Sequence, residues 1–157
     1  MPLGRPRLNI AMSTQLKPPA TDDWIPSLED TPFQRLGGEE AVKALAEAFY
    51  DTMDASEPAL ARLHVLDEHG KVGRGTRERF GLFLVGWLGG PQHYIERHGH
   101  PRLRMRHGRV PVNTGMRDAW LRCMHKAMDA RGITGGVRRF LEERFSQTAD
   151  FLRNTED

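Results

Sequence analysis

The chain contains one cysteine, Cys123, in 157 residues. That excludes an intramolecular disulfide and any multi-cysteine zinc site. A reducing compartment suits such a chain, and a cytoplasmic location is expected. No run approaches the roughly 20 apolar residues of a membrane span, so no membrane partner is expected. The stretch Leu8-Asn9-Ile10-Ala11-Met12 is too short and too polar for a secretory core, which needs about 7–15 apolar residues. Phosphate-loop and dinucleotide glycine patterns are missing, and there is no HExxH. Charge excess is also missing: 23 Lys+Arg face 21 Asp+Glu, a formal net charge of +2. The chain as a whole therefore has no field with which to recruit a polyanion.

What is present is local. Arg97 to Arg109, RHGHPRLRMRHGR, holds five arginines and three histidines with no acid. Such a stretch holds something anionic, coordinates a metal, or does both. An aromatic-rich block, Phe80 to Tyr94, precedes it, and an amphipathic stretch carrying Trp120 follows.

Residues 1–30 read as an extension, disordered or loosely docked, before a single domain over 31–157. Its first 29 residues carry five of the ten prolines and no sustained periodicity, a composition that buries too little to offset its ordering entropy. Trp24 and Ile25 are its candidates for docking. Gly37-Gly38 is a break. After it, Ala41, Val42, Leu45, Ala46, Phe49, Tyr50 and Met53 fall at helical spacing, with Glu39 and Lys43 paired at i,i+4. Tyr50 lies on the apolar face, where its hydroxyl needs a partner, most simply a backbone carbonyl.

Glu57-Pro58 opens a short helical turn to His64, and Val65 to Gly75 is a polar loop. Thr76 is expected to cap a helix whose stripe is Phe80, Phe83, Leu84, Trp87 and Leu88, widened by Leu82 and Val85. That stripe covers more than half the circumference, so the helix is deeply buried or faces a ligand. Gly89-Gly90-Pro91 ends it, and Pro91 can begin another short helix through Arg97. From Pro101 to His107 the alternation of Arg102, Arg104 and Arg106 suggests a strand. The i,i+4 relation of Leu103 and His107 favours a helix. Asn113 or Thr114 caps a long helix with Met116, Trp120, Cys123, Met124, Ala127 and Met128 on one side, stopped by Gly132. Thr134 starts the last helix, striped by Val137, Phe140, Leu141, Phe145, Ala149 and Leu152. No convincing strand or repeat is present. The fold class is all-α.

Cys123, mid-helix among apolar neighbours, reads as a buried structural thiol. His93, His98 and His125 read as solvated or structural. His107 is the sharper residue. A neutral imidazole is the commonest protein ligand for a metal, although a lone histidine on a helical face is more often structural. The flanking arginines shift the balance. An iron porphyrin has a flat apolar body, an axial site on each face and two carboxylates at one edge. Its pocket needs one histidine, aromatic and aliphatic walls, and cations at the rim. Arg106 and its neighbours supply cations. Phe80, Phe83, Trp120 and Met124 could form walls, and Tyr50 and Trp120 could donate hydrogen bonds on the open face.

The residues from about Thr31 to Leu152 resemble the group II truncated haemoglobins. The resemblance rests on Gly37-Gly38, Phe49-Tyr50, Trp87-Leu88-Gly89-Gly90-Pro91, the block Gly99-His100-Pro101-Arg102-Leu103-Arg104-Met105-Arg106-His107, and Arg117-Asp118-Ala119-Trp120-Leu121. It implies a globin-like two-over-two helical sandwich enclosing haem b. His107 is then the proximal iron ligand. Tyr50 and Trp120 reach the distal side, and His64 falls at the corner that packs on the haem. Thr76 and Phe80 line the distal helix, with Phe80 replacing the leucine expected there. Arg79, Tyr94 and Arg106 map near the propionates. The loop between His64 and Thr76 is several residues longer than usual for the group.

The resemblance further implies dioxygen and other small diatomic ligands as binding partners, with slow release, and an unidentified reductase. It leaves a peroxidase-like or nitric-oxide-consuming activity open, and a monomer or a homodimer. A competing reading from another class is a nucleic-acid- or polyanion-binding helical module using Arg97–Arg109, with steeply salt-dependent binding. Against it, the cluster lacks interleaved aromatics, and Glu96 and Asp118 stand beside it; no nucleic-acid partner is expected.

The purified protein, reduced and haem-loaded, should show a Soret band that shifts sharply with carbon monoxide. His107→Ala should lose stable haem or change that spectrum; unchanged retention and ferrous spectra would remove His107 as the iron ligand.

Overall fold

The structure is a computed structural model that describes residues 22–100 and 112–152, residue 152 by its backbone alone. The expected helix from Pro101 to His107 lies outside the described residues. Among these there are seven helices: α1 (Pro32–Leu36), α2 (Glu39–Ser56), α3 (Pro58–Ala61), α4 (Arg74–Trp87), α5 (His93–His98), α6 (Thr114–Ala130) and α7 (Gly135–Leu152). Two isolated bridges, Ser27 with Asp30 and Leu66 with Val72, are the only extended pairings among the described residues. No helix there is long and apolar enough to cross a membrane.

The core is built on α2. Val42, Leu45, Ala46, Phe49, Tyr50 and Met53 form its buried stripe, the period that packs a helix on two neighbours. Those neighbours are α4 and α6, while α6 also packs on α7. Lys43 and Glu39 pair at 2.8 Å on the outer face. Gly81 of α4 sits where α2 comes closest. A Cβ at Gly81 would stand 3.4 Å from Lys43 Cγ and 3.8 Å from the Ala46 Cβ.

Helix ends follow side-chain chemistry. Thr31 and Gln34 form a capping box at α1, and Gly37 closes it with a left-handed φ of 112°. Asn113 caps α6, accepting from the Met116 N–H at 2.9 Å. Three ends differ from expectation. Helix α4 begins at Arg74, with Gly73 at the N-cap, so Thr76 lies inside the first turn. The cause is the loop before it. The Gly73 N–H donates to the Val65 carbonyl at 2.9 Å, and the Leu66–Val72 bridge returns the chain early. Helix α5 begins at His93, two residues after Pro91. There the Gln92 side chain donates back to the Gly86 carbonyl at 3.0 Å, turning the chain before it coils. Helix α7 begins at Gly135, and the Thr134 hydroxyl is buried without a hydrogen-bond partner. Asp22 takes the capping role from a distance: its carboxylate accepts from the Gly136 N–H, which holds its pKa below the usual value.

The described part of the extension is docked. Trp24 packs edge-on against Phe140 at 5.7 Å, and Arg35 lies 5.4 Å over its ring. Ile25 does not follow it inward and is 77% exposed.

Gly90 shows why α4 must stop where it does. Its N–H donates to the Val85 carbonyl at 2.8 Å, and a Cβ would fall 2.5 Å from the Phe33 ring and 2.9 Å from the Val85 oxygen. Gly90→Ala is therefore expected to cost about 1–3 kcal/mol by overpacking. Urea unfolding of the haem-loaded protein measures this, and a variant as stable as the parent would show that Phe33 moves aside freely.

Candidate functional site

A cavity of about 410 Å³ opens between α4, α6 and α7 and the turn after α3. Helix α4 shapes it by having two apolar faces. Gly81 and Val85 are buried within the fold. Phe80, Phe83 and Trp87 line the cavity one and two turns apart. The wide stripe in the sequence is thus both buried and ligand-facing.

Aromatic rings hold the cavity's shape. Phe80 stacks on Phe83 at 6.4 Å, and Phe83 on Trp87 at 6.1 Å. Trp87 stacks on Phe145 at 5.3 Å, and Phe145 meets the Trp120 ring edge-on at 5.7 Å. Phe80 touches both expected donors, 5.6 Å from the Tyr50 ring and 6.4 Å from that of Trp120. Such edge and offset contacts fix ring orientation as well as burying area.

The expected site residues that fall among the described ones converge here with one exception. Tyr50, His64, Thr76, Arg79, Phe80, Phe83, Tyr94 and Trp120 all line the cavity. Met124 does not. It is fully buried on the core side of α6, facing the packing with α2 instead of the cavity wall. His107 and Arg106 lie outside the described residues.

Tyr50 is 5% exposed, and its hydroxyl makes no hydrogen bond to a described residue. The expected carbonyl partner is not there. Burial pushes the phenol pKa upward against the opposing pull of Arg77 and Arg79, so at neutral pH the group is a protonated donor. The Trp120 indole N–H likewise has no protein acceptor among the described residues. His64 Nδ1 meets the Leu60 carbonyl at 3.0 Å; in that contact Nδ1 carries the proton. Arg79 is exposed, and no described carboxylate pairs with it. Tyr94 is buried, its ring 6.0 Å from Phe83 and 4.9 Å from His98.

Several lining residues were not singled out from sequence, among them Leu63, Met116, Arg117, Phe145 and Thr148. Arg117 spans α6 and α7, meeting Asp150 at 2.7 Å and Asp118 at 3.0 Å. Arg77 was also missed. It is the buried charge among the described residues, with its guanidinium carbon 5.8 Å from the Tyr50 ring centroid. A signal for it existed: Glu47, Asp51 and Asp54 form an acidic stripe at helical spacing on α2 that calls for a cation opposite.

The donor set fits an iron porphyrin. The walls are aromatic, the Tyr50 and Trp120 donors have no acceptor among the described residues, and Arg79 in the lining pairs with no described carboxylate. A model of the bacterial-like globins matches residues 31–154. The group 2 truncated haemoglobin YjbI of Bacillus subtilis is 38% identical over 125 residues, 80% of this chain and 89% of that protein. The chain is a group II truncated haemoglobin of the bacterial-like globin family. The solved group II truncated haemoglobin of Bacillus anthracis is 36% identical and superposes with a TM-score of 0.73, over 81% of this chain and 98% of that one. The truncated oxygen-avid haemoglobin of Bacillus subtilis is 39% identical, with a TM-score of 0.71 over 79% and 99%. As a member of this family the chain is a globin that binds haem b and takes small diatomic ligands such as dioxygen. These relatives lend no support to the polyanion-binding alternative.

Cys123 stays outside this chemistry. Burial, with the Glu57 carboxylate adding to it, pushes its thiol pKa from 9.0 up to about 11. A raised folded-state value means the folded chain holds the proton more tightly than the unfolded one. Its contribution is fully present below pH 9 and is lost as pH rises towards about 11. Denaturant midpoints across that window should fall for the parent and fall less for Cys123→Ala; parallel curves would show that the thiol is not shielded.

Proposed function

We propose that this truncated haemoglobin holds dioxygen and related diatomic ligands with slow release, through Tyr50 and Trp120 acting as paired donors. The observation that carries this is the presence of two donors with no acceptor among the described residues, both in ring contact with Phe80 in one aromatic cavity. Haem, when bound, supplies an iron site for a small diatomic molecule. His107 would hold the iron, by the resemblance of its block to the family pattern. Arg79, Tyr94 and Arg106 would meet the propionates.

The protein's own part is electrostatic. A ligand that acquires partial negative charge attracts the Tyr50 hydroxyl and the Trp120 N–H, and neither must first break a bond to a described residue. Each such hydrogen bond to a charged acceptor contributes about 1.5–3 kcal/mol. That corresponds to roughly one to two orders of magnitude in release rate. Phe80 touches both donors and keeps water from competing with the ligand. Thr76 and His64 complete the wall. Slow release is poor for transport and suits redox chemistry, peroxidase-like or nitric-oxide-detoxifying, fed by a reductase. The oxygen-avid relative in Bacillus subtilis is in keeping with tight retention. We place the protein in the cytoplasm, as a monomer or homodimer, with the globin domain over 31–157.

Tyr50→Phe combined with Trp120→Phe should raise the oxygen dissociation rate by about a hundred- to ten-thousandfold, two such bonds being lost. Stopped-flow displacement by carbon monoxide measures it. Equal rates in variant and parent, at equal haem content, would remove both residues as donors.

A further inference from the structure

Arg77 is 9% exposed in a face otherwise made of apolar residues. A buried cation must be paired to persist, and this one is paired on all sides. Its Nε donates to the Val72 carbonyl at 2.8 Å. Its Nη1 donates to Glu47 at 3.0 Å and to Asp51 at 2.8 Å, and its Nη2 to Asp54. Asp54 in turn accepts from the Val72 N–H at 3.1 Å. The three carboxylates belong to α2, the helix that carries Tyr50, while Arg77 belongs to α4.

A staple between two helices could sit anywhere along their crossing. This one places its guanidinium within cation–π range of the Tyr50 ring, 5.8 Å from the centroid. Tyr50 needs such support because its hydroxyl makes no bond to a described residue that would hold it. Phe49, Phe80 and His64 meet its ring edge-on at 4.9, 5.6 and 5.7 Å. Those contacts leave the roll of α2 against α4 to be set by something rigid. The planar fork of Arg77, held by acids from three successive turns of α2, is that element.

We propose that Arg77 is the positioning residue for Tyr50: locked to Glu47, Asp51 and Asp54, it braces the ring and holds the phenol hydroxyl at the cavity, ready to donate. The cation also draws electron density from the ring, which strengthens the hydroxyl as a donor. It pulls against the upward push of burial on that phenol. This inference rests on the reading of Tyr50 as a ligand donor.

The test uses the full chain loaded with haem, with two readouts: the C–O stretching band of the carbon monoxide complex and the oxygen release rate. Arg77→Gln should move the band to higher wavenumber, broaden it, and speed release about tenfold, equivalent to ~1.4 kcal/mol. Arg77→Lys keeps the charge and loses the fork, and should fall between. In a Tyr50→Phe background Arg77→Gln should change neither readout beyond about twofold, the ordinary scatter of independent sites. Equal effects in both backgrounds would reduce Arg77 to a structural staple and overturn the proposal, leaving Tyr50's role intact. If Tyr50→Phe alone changes neither readout, the donor reading itself falls and takes this inference with it. Should Arg77→Gln fail to fold, Glu47→Ala with Asp51→Ala removes both partners of Nη1 at positions whose side chains are 38% and 71% exposed. That pair should shift the band in the same direction by less, and only when Tyr50 is present; an unmoved band would overturn the proposal.

Discussion

The close crossing of α2 and α4 governs the rest of the structure. At Gly81 there is no side chain to separate the helices, and the Ala46 Cβ stands 3.8 Å from where one would be. Gly81 directly follows Phe80, and Ala46 is one turn before Tyr50. The approach at that point therefore determines how far the Tyr50 ring lies from Phe80 and how much room remains beside them. A larger side chain at the crossing would wedge the helices apart and move a donor and a wall together. Arg77, four residues before Gly81, ties the same crossing on its outer side. The fold thus uses one small residue to bring the helices together and one large cation to stop them rolling.

Around that crossing the aromatic side chains are both scaffold and wall. Phe80, Phe83, Trp87, Phe145 and Trp120 touch in series, and the series runs across three helices. Rigid rings with few rotamers keep a concave surface in shape at low entropic cost. Three of the four described methionines stand behind it, while the fourth, Met116, lines the cavity. Met53, Met124 and Met128 are fully buried in the core, where a thioether chain fills irregular gaps without facing the ligand.

Helical periodicity made most of the fold legible. The stripes of α2, α4, α6 and α7 and the glycine stops at Gly37, Gly90 and Gly132 are all visible in the amino-acid order, because burial and capping are local signals. Tyr50, Phe80 and Trp120 could be grouped by the chemistry a porphyrin pocket needs, but Thr76 joined them only through the family pattern, since spacing within one helix does not say which other helix it will face. Helix starts were less legible where the decisive group is remote. Thr76 resembles a cap, but a loop hydrogen bond from Gly73 starts α4 earlier. Thr134 resembles a cap too, yet Asp22 supplies it from more than a hundred residues away. Met124 shares a helix with Trp120 and was assigned to the same wall. One further turn of the helix carries it round to the core, a rotation too small to distinguish by periodicity. Arg77 escaped notice because a single cation in an apolar stripe carries meaning only once the acids opposite are known.

Asp22 and Trp24 lie upstream of the match to the family model, which begins at residue 31. Yet Asp22 satisfies the Gly136 N–H, and Trp24 covers Phe140, both on α7. That helix also carries Phe145 and Thr148 into the cavity. The unit that the family pattern describes and the unit that is mechanically complete therefore have different edges. A lineage can keep every ligand-facing residue of a globin and still tune its pocket by rewriting a segment that the family pattern does not include.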